Sequence, residues 1–183
     1  MMDLSWIVSG IALAVLIAWY VSYGAARLDR LHSRVEGALS VLDAQLVRRA
    51  EATLELANSG ALDAATALIL AGAASDSLEA ETSDQTSREA IESDLTQALE
   101  LALGEDVLRH LRGDEAVGTP VLQRVAAANQ RVQLARRFLN DAVTDVRRVR
   151  RKPGVRLLRL AGHAELPQTF EFDDELPMLG RGA

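Results

Sequence analysis

The chain has 183 residues and no cysteine, so no disulfide can staple it and no thiolate is available as nucleophile or metal ligand. That absence suits reducing and oxidising compartments equally. Aromatic residues are scarce. The only Trp and Tyr are Trp6, Trp19, Tyr20 and Tyr23, so everything after Tyr23 lacks the rings on which bases stack best. With a net charge of −6, this argues against nucleic acid as a partner. Lysine is reduced to Lys152 against 19 arginines, which reads as a coding bias. None of the three histidines, His32, His110 and His163, has a Glu three residues before it, so the Glu-x-x-His spacing of di-iron bundles is missing. No zinc-protease motif, phosphate loop, dinucleotide-binding glycine run or G-x-S-x-G elbow occurs. The sequence therefore nominates no catalytic residue, no cofactor site and no metal ligand, and a non-enzymatic role is expected.

Charge is also absent from Leu4 to Ala26. The run LSWIVSGIALAVLIAWYVSY occupies 20 residues. At ~1.5 Å per residue, a helix of that length reaches about 30 Å, the thickness of a bilayer's hydrocarbon core. Trp6 lies near one end and Trp19, Tyr20 and Tyr23 near the other, where amphipathic rings settle at headgroup level. A cleavable signal peptide is the alternative, with Gly24-Ala25-Ala26 as a small-residue cleavage site. Its apolar region usually spans only about 7 to 15 residues after a positive start, whereas this one is longer and follows MMD. An uncleaved anchor is the expectation. Arg27, Arg30 and Arg34 follow the run and no basic residue precedes it, which predicts a cytoplasmic bulk.

Beyond the anchor, apolar residues recur at helical spacing. Leu28, Leu31, Val35, Leu39, Leu42, Leu46, Ala50, Leu54 and Ala57 line one face of a first long helix, closed at Asn58-Ser59-Gly60. A second helix over 61–80 is rich in small residues. A third, with Ser83, Asp84 or Ser87 as its cap, carries a stripe of Ile91, Leu95, Leu99 and Ala102 and ends near Gly104. A short piece containing Val107, Leu108 and Leu111 follows. Thr119-Pro120 reads as the start of the last helix, whose seam of Val121, Val125, Ala128, Val132, Ala135, Leu139, Ala142, Val146 and Val149 alternates steps of four and three until Pro153-Gly154.

Short connections make successive helices antiparallel. The expected fold is all-α: one N-terminal transmembrane helix followed by an antiparallel four-helix bundle with long first and last helices. The expected divisions are a short tail at 1–3, the anchor at 4–26, the bundle at 27–162 and an acidic, partly disordered tail at 163–183. An even number of passes brings the end of the last helix back to the membrane. That end holds Arg147, Arg148, Arg150, Arg151 and Lys152 within six residues, and it should join Arg27, Arg30 and Arg34 as a membrane-proximal basic group. Residues 120–152 carry nine Arg or Lys against two Asp, net +7, while Asp76 to Asp106 hold ten acids against Arg88 alone, net −9. Two readings of the basic end stand: attraction to anionic lipid headgroups, or arginines that complement a helix dipole and remain solvated. VRLLRLAG (155–162) suits an interfacial segment, though capping the bundle end is the more ordinary role. Phe170 and Phe172 are expected to dock on their own domain, and residues from Pro177 to be disordered.

Two blocks resemble the LemA family of bacterial membrane-anchored proteins: LDRLHSRVEGALSVLDAQLVRRAEATLEL (28–56), and ARRFLNDAVTDV (135–146) followed by PG, LLRLAG and FEF. The matching positions include Arg34, Val35, Asp43, Gln45, Leu46, Arg48 and Arg49, then Ala135, Arg136, Arg137, Phe138, Asn140, Ala142 and Val143. Leu39, Leu54, Leu139 and Val146 depart from the aromatic or proline residues common in the family, so the resemblance is to a divergent member. It implies a helical bundle behind one membrane helix, a family without an established biochemical role, and an association with membrane stress and a membrane zinc protease. Asp43, Gln45, Arg48, Arg49, Arg136, Arg137 and Asn140 are the family-matched polar residues, expected to pair between helices rather than hold a ligand. The expected function is a membrane-anchored scaffold or adaptor with no cofactor, meeting anionic headgroups and a membrane protein partner. The alternatives are a ligand or metal sensor, or an enzyme, with a polar site between the long helices, and an extracytoplasmic envelope-interaction domain.

Overall fold

A computed structural model describes residues 2–80, 84–157, 166–176 and 179. Among them all regular structure is helical: α1 Met2–Ala57, α2 Ala64–Glu79, α3 Gln85–Ala102, α4 Glu105–Gly113, α5 Gly118–Arg150 and α6 Pro153–Leu157. The expectations for 158–162, for Pro177, Met178 and 180–183 lie outside the described residues, as does His163; Leu179, expected to be disordered, instead packs against buried apolar residues and donates its amide to Leu176 at 3.0 Å.

The apolar run and the amphipathic helix after it form one continuous helix, α1, because no proline interrupts them. The most apolar 18-residue window of α1 has a mean hydropathy of 1.8, and none of it is buried. It is a helix long and apolar enough to cross a membrane. Its other end closes where Asn58 and Ser59 donate their amides to Leu54 and Leu56, and Gly60 takes a left-handed φ of 76° that a side chain would disfavour.

Local capping explains where the shorter helices begin. Asp63 accepts amides from Ala65 and Thr66, both at 3.1 Å, at the start of α2. Hydrogen bonds from Thr66, and then from Ala65, hold its carboxyl below the ordinary 3.8. Asp84 caps α3 by accepting from Ser87 at 3.3 Å. Gly104 does not end α3: Leu103 is its C-cap, and Gly104 instead precedes α4. Thr119 likewise has a different task from the one expected. The hydroxyl of Thr119 reaches back to the carbonyls of Leu111 and Arg112, at 3.2 Å each, and so closes the helix before it. Asp114 organises the turn instead, accepting from Ala116 and Val117 at 3.1 Å. The Val117 amide is the main reason that its carboxyl sits below 3.8.

Gly118 makes this turn possible. A Cβ there would lie 2.5 Å from the Leu111 carbonyl oxygen and 2.9 Å from its Cα, and backbone atoms in a packed turn have little room to retreat. Gly118→Ala is therefore expected to cost about 1–3 kcal/mol, read as a lower denaturation midpoint with an unchanged slope.

The chain divides into two compact units. Unit 1 comprises Met1–Gly37 and Asn140–Thr169; unit 2 comprises Ala38–Leu139 and Phe170–Ala183. In unit 2, a core is built from every helix that enters it, with Leu56 of α1, Leu70 of α2, Leu99 of α3, Leu111 of α4 and Val125 of α5 all completely buried. In unit 1, Leu28 of α1 packs with Val149 of α5 and Val155 of α6, with Leu31 alongside. Burying side chains of this size contributes about 1.5–3 kcal/mol each. All nine residues of the predicted seam on α5 are buried. On α1 the stripe is less complete, since Leu39 remains 40% exposed.

Candidate functional site

Unit 2 contains a charged cluster in its interior. Arg49 and Glu92 are both 0% exposed and meet at 2.5 Å, one from α1 and the other from α3. Arg49 also donates to the Glu92 main-chain carbonyl and to Thr96 Oγ1, at 3.0 Å each, and to Asn129 Oδ1 on α5 at 3.4 Å. The other Glu92 oxygen accepts from the Ser77 hydroxyl of α2 at 2.8 Å and lies 3.2 Å from Arg88 Nε. Arg88 in turn donates to the Ala80 carbonyl at 2.6 Å and lies 3.5 Å from Asp43. One carboxylate thus ties together α1, α2 and α3. Burial lowers the Arg49 pKa; the attraction and hydrogen bonding of Glu92 oppose that shift.

A second pair adjoins it. Arg136 on α5 grips Asp174 with two bonds, 2.6 Å from Nε and 3.0 Å from Nη2, and lies 3.3 Å from Glu171. The Phe172 ring is close to both arginines, with its centroid 5.3 Å from Arg49 Cζ and 5.7 Å from Arg136 Cζ. Those are cation–π distances.

The family-matched polar residues thus separate. Asp43, Arg49 and Arg136 enter ion pairs, while Arg48 and Arg137 are exposed. Gln45 is half-buried on α1, and its buried Oε1 has no hydrogen-bond partner among the described residues. Asn140 is half-buried in unit 1. Sequence reading missed Glu92, Ser77, Thr96, Asn129 and Asp174. A signal was present for two of them: Arg88, Glu92, Leu95, Thr96 and Leu99 follow helical spacing, so Glu92 and Thr96 lie on the core stripe rather than the acidic face.

Among the described residues, Arg49 Nε and Arg88 Nε and Nη2 are buried with no hydrogen-bond partner, Arg88 being held to Glu92 and Asp43 by charge. Both Glu92 oxygens are engaged, leaving none directed at an empty position. Among the described residues no group of three or more His, Asp or Glu is placed so that it could hold a metal ion. His32 is half-buried and His110 is exposed. An open hollow of about 450 Å³ beside His110 also includes Asp106, but that carboxylate is paired with Arg109 at 2.8 Å.

Unit 1 holds the predicted membrane-proximal basic group. Gly154 sits so close to Tyr20 that a Cβ there would lie 2.6 Å from the phenol oxygen, which places the start of α6 against the apolar run. Arg27, Arg148, Arg151 and Lys152 are exposed; Arg30 is exposed and bonded to the Ala26 carbonyl at 3.2 Å. Arg34 lies 3.4 Å from Asp145, and Arg147 donates to the Pro167 carbonyl at 3.0 Å. Arg147, Arg150, Arg151 and Leu166 line an open groove of about 420 Å³.

No known family, curated protein or solved structure matches the chain.

Proposed function

We propose that this chain is a membrane-anchored, non-enzymatic helical scaffold, a divergent relative of the LemA family, whose basic turn rests on an anionic leaflet at the cytoplasmic face. The observation that carries this reading is in unit 1. Leu28 packs on Val149 and Val155, and Tyr20 on Gly154, so the turn containing Arg150, Arg151 and Lys152 lies beside the end of an apolar helix. Tyr20 marks the level at which such a helix leaves hydrocarbon for headgroups. Cations held there meet lipid phosphate at close range.

The remaining helices suit a scaffold. We read α1, α2, α3 and α5 as an antiparallel four-helix bundle. Arg124 bonds Glu55, and Arg49 bonds Asn129, so the partner's number rises on α5 as it falls on α1. The satisfied state of Glu92 supports a structural role for the interior charges over a sensor or enzyme site.

The test is flotation of the chain lacking residues 1–26 with lipid vesicles. Vesicles containing phosphatidylserine should retain it and neutral ones should not, with 0.5 M salt abolishing the difference. Replacing Arg147, Arg148, Arg150, Arg151 and Lys152 by Gln should remove the preference; at about 1 kcal/mol per basic residue the loss is at most about 5 kcal/mol. Equal retention by both lipids would leave the arginines as dipole partners only.

A further inference from the structure

The basic residues at the end of α5 are sorted by position. Arg147, Arg150 and Arg151 stand at i, i+3 and i+4, the spacing that brings side chains about 5–6 Å apart on one helix face. Arg151 lies just past the end of α5, and its amide continues the turn by donating to the Arg147 carbonyl at 3.2 Å. These three arginines, with Leu166, line the open groove of about 420 Å³ in unit 1; Arg148 and Lys152 do not. Small-molecule sites span about 300–1,000 Å³, so the groove is of a size to hold a headgroup. A helix dipole favours basic residues in a last turn, but it does not choose which of them face a groove.

Among the described residues no carboxylate lines this groove. Asp145, the nearest acid along α5, is paired with Arg34 of α1 at 3.4 Å. Arg147 is half-buried, and the bond from its Nε to the Pro167 carbonyl at 3.0 Å fixes where its guanidinium stands. Arg150 is also half-buried and Arg151 is exposed, so the set runs from the interior toward solvent. Guanidinium forks match phosphate oxygens in pairs, and three of them exceed what one phosphate can neutralise. Leu166, 55% exposed, adds an apolar wall. The turn that follows sets Gly154 against Tyr20, which puts the groove beside the end of the apolar run.

We propose that this groove is a one-to-one site for a headgroup carrying two phosphates, supplied by a diphosphatidyl lipid such as cardiolipin. The proposal rests on the reading that the basic turn meets an anionic leaflet, and it names the lipid class that the turn selects. Basic pockets beside membrane helices hold headgroups of this kind. Diffuse attraction to a charged surface depends on how many cations are present, whereas a groove depends on which ones. Soluble diphosphates share the same chemistry, but they lack the chains that would lie along Leu166 and the apolar run.

Two full-length double variants that remove equal charge provide the test. Arg147→Gln with Arg151→Gln empties the groove of cations, while Arg148→Gln with Lys152→Gln removes two that lie outside it. Each chain, in neutral detergent, is titrated with cardiolipin or phosphatidylserine, and bound lipid is counted by native mass spectrometry. The wild-type chain should hold one cardiolipin at least about tenfold more tightly than phosphatidylserine, about 1.4 kcal/mol. The second double variant should keep that preference and the first should lose it. Arg151→Gln alone alters an exposed side chain that the fold does not need, and it should weaken cardiolipin binding about fivefold. Equal losses in the two double variants would overturn the groove, while salt-sensitive flotation with phosphatidylserine would still uphold the anchored reading. Equal affinity for the two lipids would overturn the preference for paired phosphates. Displacement of cardiolipin by equimolar inorganic pyrophosphate would overturn the lipid as its source.

Discussion

Arg49→Met should lower folding stability by about 3–5 kcal/mol, the usual cost of removing one partner from a buried ion pair. The size follows from what remains. Glu92 would stay at 0% exposure with only Arg88 as a counter-charge, and Asn129 Oδ1 would lose its donor. Glu92→Met alone should cost a similar amount, because it leaves Arg49 and Arg88 confined without their shared carboxylate. The double replacement should cost less than the two single losses added together, since an apolar pair of similar volume carries no desolvation penalty. Denaturant unfolding of the four proteins would yield this coupling. Strict additivity would mean that the two residues do not act as a pair.

A second large effect is expected in the apolar part of α1. Arg substituted at Leu13 and at Leu16 places two charges near the middle of the run, each unfavourable to insertion by about 2.5–3.5 kcal/mol, or about 5–7 kcal/mol together. The doubly substituted chain should move from the membrane pellet to the supernatant on alkaline extraction. Arg at Leu68 and Leu101, which are 75% and 78% exposed, should leave the wild-type partition unchanged. If both pairs behaved alike, loss of solubility or folding would explain the first result better than loss of anchoring. In the same cells, a reporter active only in the cytoplasm, fused after Ala183, should be active; silence would reverse the proposed orientation.

Legibility in the sequence followed periodicity. The α5 seam could be read in full because each of its nine residues faces a core, and a regular step needs no knowledge of the partner. Caps were legible where the acceptor lies close to its amides, as at Asp84 with Ser87, and misread where it does not. Thr119 precedes a proline and looks like a cap, yet its hydroxyl bonds backward because the tight approach of Gly118 to Leu111 brings those carbonyls within reach. The alternation Phe-Glu-Phe-Asp-Asp-Glu-Leu is visible in the letters, but nothing there shows that Asn129 and Gln133 would hold its main chain.

By itself the sequence determined a helical protein with one long apolar segment, because spacing and the absence of charge are local properties that every residue carries with it. It also placed arginine at the end of α5. Only the tertiary structure decided which charges are interior. Arg49 and Arg48 are neighbours in the chain, and one is sealed while the other meets solvent. A rotation of about 100° per residue around a helix separates them, and the carboxylate that makes burial tolerable comes from a helix more than 40 residues away.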